Sequence, residues 1–174
     1  YEQVLDLVPN QDGALTDLVE LAQTEANFEA AGSLVVDALE SVGRYPELAS
    51  VLAARARYTS DPDEKAQALG RLARVQLERL DDAAAALQAL NALITSVDAV
   101  EAEPVLDEAG RLAVSLGQAA EQFRFLAERS ADEDVDTAAR VAAAKYAAYL
   151  AEDMLGEPKM ALEVLSPLID SGVA

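Results

Sequence analysis

Apolar residues recur along most of the chain at i, i+3, i+4 and i+7, the spacing of one face of an α-helix. The period-two alternation that is typical of β-strands is absent, and glycine and proline recur at intervals along the chain. We therefore predict an all-α fold. The predicted helices cover residues 2–8, 13–25, 28–42, 46–59, 62–80, 83–97, 103–116, 118–130, 134–155 and 158–170.

Local signals support several of these boundaries. Asp61 precedes Pro62 and is followed by Glu64, which is the pattern of a capped helix start. Glycines at positions 43, 117 and 156 mark helix ends, where a left-handed backbone is easy only for glycine. The connections are short, which predicts that neighbouring helices form antiparallel hairpins.

The sequence repeats itself. Residues 80–94 align with residues 155–169 at an offset of 75 without a gap, and residues 42–52 align with residues 116–126 at an offset of 74. The turn positions 43, 81, 117 and 156 are 38, 36 and 39 residues apart, so a hairpin recurs about every 37 residues with a pair of hairpins as the larger unit. The residues shared at the offset of 75 are Leu80, Ala86, Leu87, Leu90, Leu93 and Ile94.

A repeat of this length predicts an α-solenoid, because one hairpin cannot bury its apolar face whereas stacked hairpins can. The alternative is an irregular helical bundle with chance similarity between its parts. In the solenoid, Ala86 and Ala161 should be almost fully buried, and Phe123 should lie in the core. Leu168 and Ile169 should be partly exposed at the C-terminal end.

The residues Leu69-Gly70, Ala86, Leu90 and Leu93 resemble the tetratricopeptide-repeat signature. The spacing from Leu69 to Ala86 is about one helical turn longer than in that family, and the family's Trp, first-helix Tyr and closing Pro are absent. The chain thus resembles the divergent, alanine-rich type found in large bacterial repeat proteins. The resemblance implies a right-handed superhelix whose concave face, lined by first helices, binds peptides or partner proteins without catalysis.

The amino-acid composition excludes several kinds of catalytic, redox and metal-binding sites. The 174 residues include 37 alanines but neither cysteine nor histidine, which excludes disulfides, thiolate nucleophiles, Ser-His-Asp triads and Cys/His zinc sites. The net charge of −19 argues against a nucleic-acid or anionic-membrane surface. No apolar run is long enough to span a membrane. We read residues 1–174 as a single repeat segment excised from a larger protein, with the cytoplasm as the favoured compartment.

The acidic residues do not predict a metal or catalytic site. Residues 132–136 open like a calcium-binding loop, but the sixth and twelfth positions hold Thr137 and Ala143 instead of glycine and glutamate. A negatively charged helix start is the simpler interpretation. Other carboxylate pairs lie at turns or on solvated helix faces. We expect no enzyme activity, cofactor or metal.

Residues 44–79 carry a net charge of +2, between two segments with no basic residue. The arginines of this region could pair with neighbouring hairpins, and Arg74 and Glu78 have the i, i+4 spacing of an ion pair. The alternative is a site for anions or peptide carboxylates. The offset of 75 aligns Arg71 and Arg74 with Tyr146 and Tyr149.

We therefore predict a partner-binding groove lined by Arg71, Arg74, Tyr146 and Tyr149, in which arginine takes a carboxylate and tyrosine an apolar side chain. The competing interpretation of the two tyrosines is core packing between stacked hairpins. The predicted function is a non-catalytic scaffold that binds a protein or peptide. The alternative function is a structural spacer or self-assembly segment, with end-to-end self-association.

Overall fold

A computed structural model describes residues 12–97, 99–170 and 172. Every regular element in these residues is helical. The predicted helix over residues 2–8 lies outside the described part, and the other nine predicted helices each have a counterpart. The helices are α1 (Asp12–Ala22), α2 (Phe28–Val42), α3 (Tyr45–Tyr58), α4 (Pro62–Glu78), α5 (Ala83–Ile94), α6 (Ala99–Ser115), α7 (Ala119–Ala131), α8 (Thr137–Tyr149), continued by a π-helical segment (Leu150–Met154), and α9 (Pro158–Asp170).

The chain forms two compact units, which divide between Ala92 and Leu93 inside α5. In the first unit α1 packs against α2 and α3, α2 packs against α3, and α3 packs against α4. In the second unit α6 packs against α7 and α8, α7 packs against α8, and α8 packs against α9. Neighbouring helices therefore pack against each other within each unit, which is compatible with a helical repeat.

The four predicted turn positions share one backbone conformation. Gly43, Asp81, Gly117 and Gly156 have φ angles of 73°, 53°, 71° and 69°. This left-handed region ends a helix without a clash when the residue is glycine, and aspartate tolerates it better than most other residues. The predicted turn positions are thus confirmed. Asp81 fills the role that glycine has at the other three.

Hydrogen bonds at these turns follow two patterns that alternate along the chain, which is compatible with the predicted larger unit of two hairpins. At Gly43 and Gly117, the N–H of the following residue donates to the carbonyl five positions before it. At Asp81 and Gly156, it donates to the carbonyl six positions before it, so these two turns enclose one more residue. The bonds run from Arg44 to Leu39 (3.0 Å), from Gln118 to Ala113 (2.7 Å), from Asp82 to Gln76 (2.9 Å) and from Glu157 to Ala151 (2.8 Å).

Burial confirms most of the predicted core positions. Ala86 is 0% exposed, Ala161 is 5% exposed and Phe123 is 9% exposed. The prediction for the C-terminal end is half right, because Ile169 is 61% exposed whereas Leu168 is only 2% exposed. Leu168 follows Ala161 by seven residues, or about two helical turns, and therefore lies on the same buried side of α9.

Several helix ends differ from prediction for local reasons. The helix predicted over residues 13–25 ends at Ala22, and the hydroxyl of Thr24 donates to the carbonyl of Leu21 at 2.8 Å in the turn that follows. The helix predicted over residues 134–155 begins at Thr137, because the Asp136 carboxylate accepts hydrogen bonds from the first free N–H groups of α8. The helix predicted over residues 83–97 ends at Ile94.

Enlarging Ala86 should destabilise the protein. A leucine at this fully buried position overpacks α5, so Ala86→Leu should lower the free energy of unfolding by about 1–3 kcal/mol. Urea denaturation followed by circular dichroism measures the change. Ala84→Leu is the matched control, because Ala84 is exposed on the same helix. Equal stability of the two variants would contradict the observed orientation of α5.

Candidate binding clefts

The predicted arginines lie in one open cleft in the first unit. Arg71 and Arg74 are one turn apart on α4, and Arg79 follows at the end of that helix. Glu40 of α2 and Tyr45 of α3 complete the walls, together with Glu78. The volume is about 680 Å³. We call this site the arginine cleft.

The positive charge of Arg71 is largely neutralised by carboxylates of the same chain. Its guanidinium Nη2 donates a hydrogen bond to the Glu40 carboxylate, and it lies 3.5 Å from Oδ1 of Asp37. Both acids belong to α2, so Arg71 connects α4 to α2. About a third of the Arg71 side chain remains exposed. Its main role is therefore structural, and it can offer only its outer edge to a ligand.

Arg74 and Arg79 have no carboxylate partner among the described residues. Arg74 is exposed, and the ion pair with Glu78 that its spacing allows does not form. The guanidinium carbon of Arg79 lies 5.3 Å from the centre of the Tyr45 ring, in a cation–π contact. This contact fixes Arg79 while leaving its N–H groups without an acceptor. The cleft thus holds two cations that a carboxylate ligand can neutralise.

The predicted tyrosines lie together in the second unit, on α8. The Tyr146 and Tyr149 rings meet edge to face, with 6.4 Å between centroids and an angle of 73° between planes. Tyr146 is half-buried and Tyr149 is 46% exposed, so neither ring is buried in a core as the competing interpretation required. Val114 and Met154 are also exposed beside them. These four residues border a cleft of about 130 Å³, which we call the tyrosine groove.

The π-helical segment shapes one side of the tyrosine groove. Leu150 at its start is 0% exposed, whereas Met154 at its end is 42% exposed. The π turn is closed by a hydrogen bond from the Leu155 N–H to the Leu150 carbonyl (3.0 Å). Leu150 and Met154 both line the groove. The sequence carries no signal that predicts this turn.

Negative charge surrounds Tyr146. Burial raises the pKa of its hydroxyl, and the nearby carboxylates of Asp107 and Glu103 raise this pKa further. Arg111 opposes them in part, since it forms an ion pair of 2.9 Å with Asp107. The tyrosine groove therefore favours a neutral or cationic side chain, whereas the arginine cleft favours an anionic one.

The structure places the four predicted site residues in two pairs, one pair in each unit. Arg71 and Arg74 share a cleft in the first unit, and Tyr146 and Tyr149 share one in the second. The hypothesis that all four line one groove stays a prediction. Sequence reasoning missed Tyr45 and Arg79 in the first cleft and Val114 and Met154 in the second. Their exposure depends on packing between helices that are distant in sequence, so no local pattern marks them.

The acidic residues before α8 serve as local caps. A carboxylate oxygen of Asp132 accepts from the Asp134 N–H at 3.0 Å, and one of Asp136 accepts from Ala138 and Ala139 at 2.9 and 3.3 Å. These bonds confirm the interpretation of the segment as a helix start. Within the described residues, no group of three or more carboxylates is arranged to hold a metal ion.

Comparison of the chain with protein-family models, curated proteins and solved structures finds no match. Its function must therefore be argued from its own surfaces. Among the described helices, none is both long and apolar enough to cross a membrane.

Tyr146 should titrate at higher pH than a free tyrosine. Since its pKa is raised in the folded protein, the folded state holds this proton more tightly than the unfolded state does. The free energy of unfolding should therefore fall as the pH rises above about 10. Absorbance at alkaline pH measures the ionisation, and Tyr146→Phe should remove the component that titrates late. An unchanged titration curve in this variant would contradict the described environment of Tyr146.

Proposed function

We propose that this chain is a non-catalytic scaffold that binds another protein or a peptide. The observation that carries the proposal is the pair of unneutralised cations, Arg74 and Arg79, in one open cleft with Tyr45. Arginine and tyrosine are enriched among the residues that dominate binding energy at protein interfaces. An arginine fork suits a carboxylate because two parallel N–H donors match its two oxygens.

In the first unit, the proposed ligand is an extended or helical segment whose carboxylate pairs with Arg74 in the arginine cleft. In the second unit, we propose separately that an apolar side chain of a ligand lies on the ring of Tyr149 in the tyrosine groove. A net charge of −19 opposes the approach of an acidic partner at long range. Recognition therefore depends on short-range pairing with arginine, and added salt should help the encounter by screening the general repulsion.

The proposed architecture is a tetratricopeptide-like solenoid. It is supported by the 37-residue period, by the left-handed residue at each of the four turns, and by the packing of α3 on α4 and of α7 on α8. If this resemblance holds, first helices such as α4 and α8 line the concave surface. Arg71 and Arg74 belong to α4, and Tyr146 and Tyr149 belong to α8.

A structural spacer is the second candidate, and the ion pairs favour it. Arg71 is held by Glu40, and Arg55 lies 3.7 Å from Glu64 across α3 and α4. These basic side chains form ion pairs with carboxylates on neighbouring helices, and in this account they do not bind a ligand. In a spacer, Arg74 is merely a solvated surface charge, and its removal has no effect on any partner.

Peptide selection distinguishes the two candidates. We expect a displayed random-peptide library, panned against the intact chain, to yield apolar peptides with an acidic residue or a free C-terminal carboxylate. Arg74→Glu should weaken the binding of a selected peptide at least about tenfold in fluorescence anisotropy, because it replaces an attractive charge with a repulsive one.

Arg124→Glu is the matched control, because Arg124 is an exposed arginine on α7, outside both clefts, and the change in charge is the same. It should leave the affinity within about twofold of the original. Both variants should retain the original melting temperature, since each residue is exposed. A library that yields no binder, or an equal loss in the two variants, would leave the spacer as the better account.

A further inference from the structure

The wall that α6 contributes beside the tyrosines changes from acidic to apolar along one stripe of the helix. The stripe consists of Glu103, Asp107, Gly110 and Val114, which follow the spacing i, i+4, i+7 and i+11 and therefore share one face. The last three line the tyrosine groove, and Glu103 lines a neighbouring cleft that shares Tyr146 with it. On α6, the groove thus begins at a carboxylate and ends at an apolar side chain.

The apolar end of the groove gathers side chains that are exposed. Three of the seven large apolar side chains exposed among the described residues border this one cleft, so their exposure is not scattered over the surface: Val114, Tyr149 and Met154. The cleft of about 130 Å³ is smaller than the roughly 300–1,000 Å³ of a typical small-molecule site. It therefore suits one side chain with an apolar stem.

The acidic end of the groove has an unused acceptor. Oδ2 of Asp107 lies 2.9 Å from Nη2 of Arg111, and this ion pair is at the surface, with 74% of the Arg111 side chain exposed. Oδ1 of Asp107 has no hydrogen-bond or ion-pair partner in the described part of the chain, and neither has the carboxylate of Glu103. The faces of the tyrosine rings also carry partial negative charge. This end of the groove therefore attracts a cation.

The charge of the second unit acts in the same direction. Its residues, Leu93–Ala174, include 16 acidic and six basic side chains and so carry a net charge of −10. Such a field speeds the approach of a basic segment. Lys145, in the neighbouring cleft, opposes a basic ligand, but the carboxylates of Glu103 and Asp136 in that cleft outnumber it.

We propose that the tyrosine groove binds a lysine side chain from an extended segment of another protein. The methylene stem lies against Tyr149 and Met154, and the ammonium pairs with Oδ1 of Asp107. Lysine fits better than arginine, because a guanidinium pairs best with both oxygens of a carboxylate and Arg111 already uses one, whereas an ammonium needs only one. The inference rests on the proposed function only in that this groove binds a protein segment.

Two methionines allow a direct test, because Met154 lines the groove and Met160 lies outside it on α9. The intact chain, labelled with ¹³C at its methionine methyl groups, is titrated by NMR with Nα-acetyl-lysine N-methylamide up to about 100 mM. The norleucine analogue is the control probe, since it keeps the carbon stem and lacks the ammonium. The lysine probe should shift the Met154 resonance, leave that of Met160 in place and bind at least about threefold more tightly than the norleucine probe.

Added salt and two substitutions identify the source of this preference. Sodium chloride should weaken the binding of the lysine probe and leave that of the norleucine probe nearly unchanged, because salt screens an exposed ion pair. Asp107→Asn should bring the two affinities within about 1.5-fold of each other. Glu108→Gln is the matched control: Glu108 is the next residue on α6, is exposed and does not line the groove, so the preference should persist although the same charge is lost.

The possible failures are distinguishable. Equal binding of the two probes, tighter binding of the arginine analogue, or an equal effect of Asp107→Asn and Glu108→Gln would overturn the assignment of lysine. The proposed scaffold function would survive those results, because the groove would still bind a side chain. If neither probe shifts the Met154 resonance, the groove binds no such side chain, and both the lysine assignment and the role proposed for this groove are wrong. Peptide selection tests the arginine cleft separately.

Discussion

Close contact between helices at small side chains is the constraint on which this structure depends. Among the described residues, 19 of the 40 buried apolar positions hold alanine. The buried face of α8 is the extreme case, since it consists of Ala139, Ala143, Ala144, Ala147 and Ala148. Helices separated by alanine can approach closely, so a core with few aromatic side chains still excludes water. Tyr149, which belongs to the same helix, is exposed.

Such packing requires a fixed register between successive helices, and the turns supply it. A left-handed residue closes each of the four turns at Gly43, Asp81, Gly117 and Gly156, and the hydrogen bond after it returns either five or six residues along the chain. The longer closure at Asp81 and Gly156 adds one residue to every second turn. The π-helical segment directly precedes the longer turn at Gly156, and Met154 at its end lies at the edge of the tyrosine groove.

Helix positions and turn positions could be predicted because they depend on local signals, namely apolar periodicity and the conformational freedom of glycine. Asp81 was found only through its alignment with Gly156, since aspartate alone does not mark a left-handed turn. Burial on a particular side of a helix was harder to predict: Leu168 and Ile169 are adjacent, yet one is buried and the other exposed. The partner of Arg71 could not be predicted from the sequence, because Glu40 is 31 residues away. The two side chains meet only when α2 and α4 are packed together.

The central claim is that a left-handed residue closes the turn between two helices at four positions in the described part of the chain. Backbone chemical shifts and coupling constants measured by NMR report the sign of φ at Gly43, Asp81, Gly117 and Gly156 in solution. The account predicts a positive φ at all four positions, including the one that is not glycine. A negative φ at Asp81, with helix continuing through it, would contradict the account, because α4 and α5 would then lack the turn that joins the other three helix pairs.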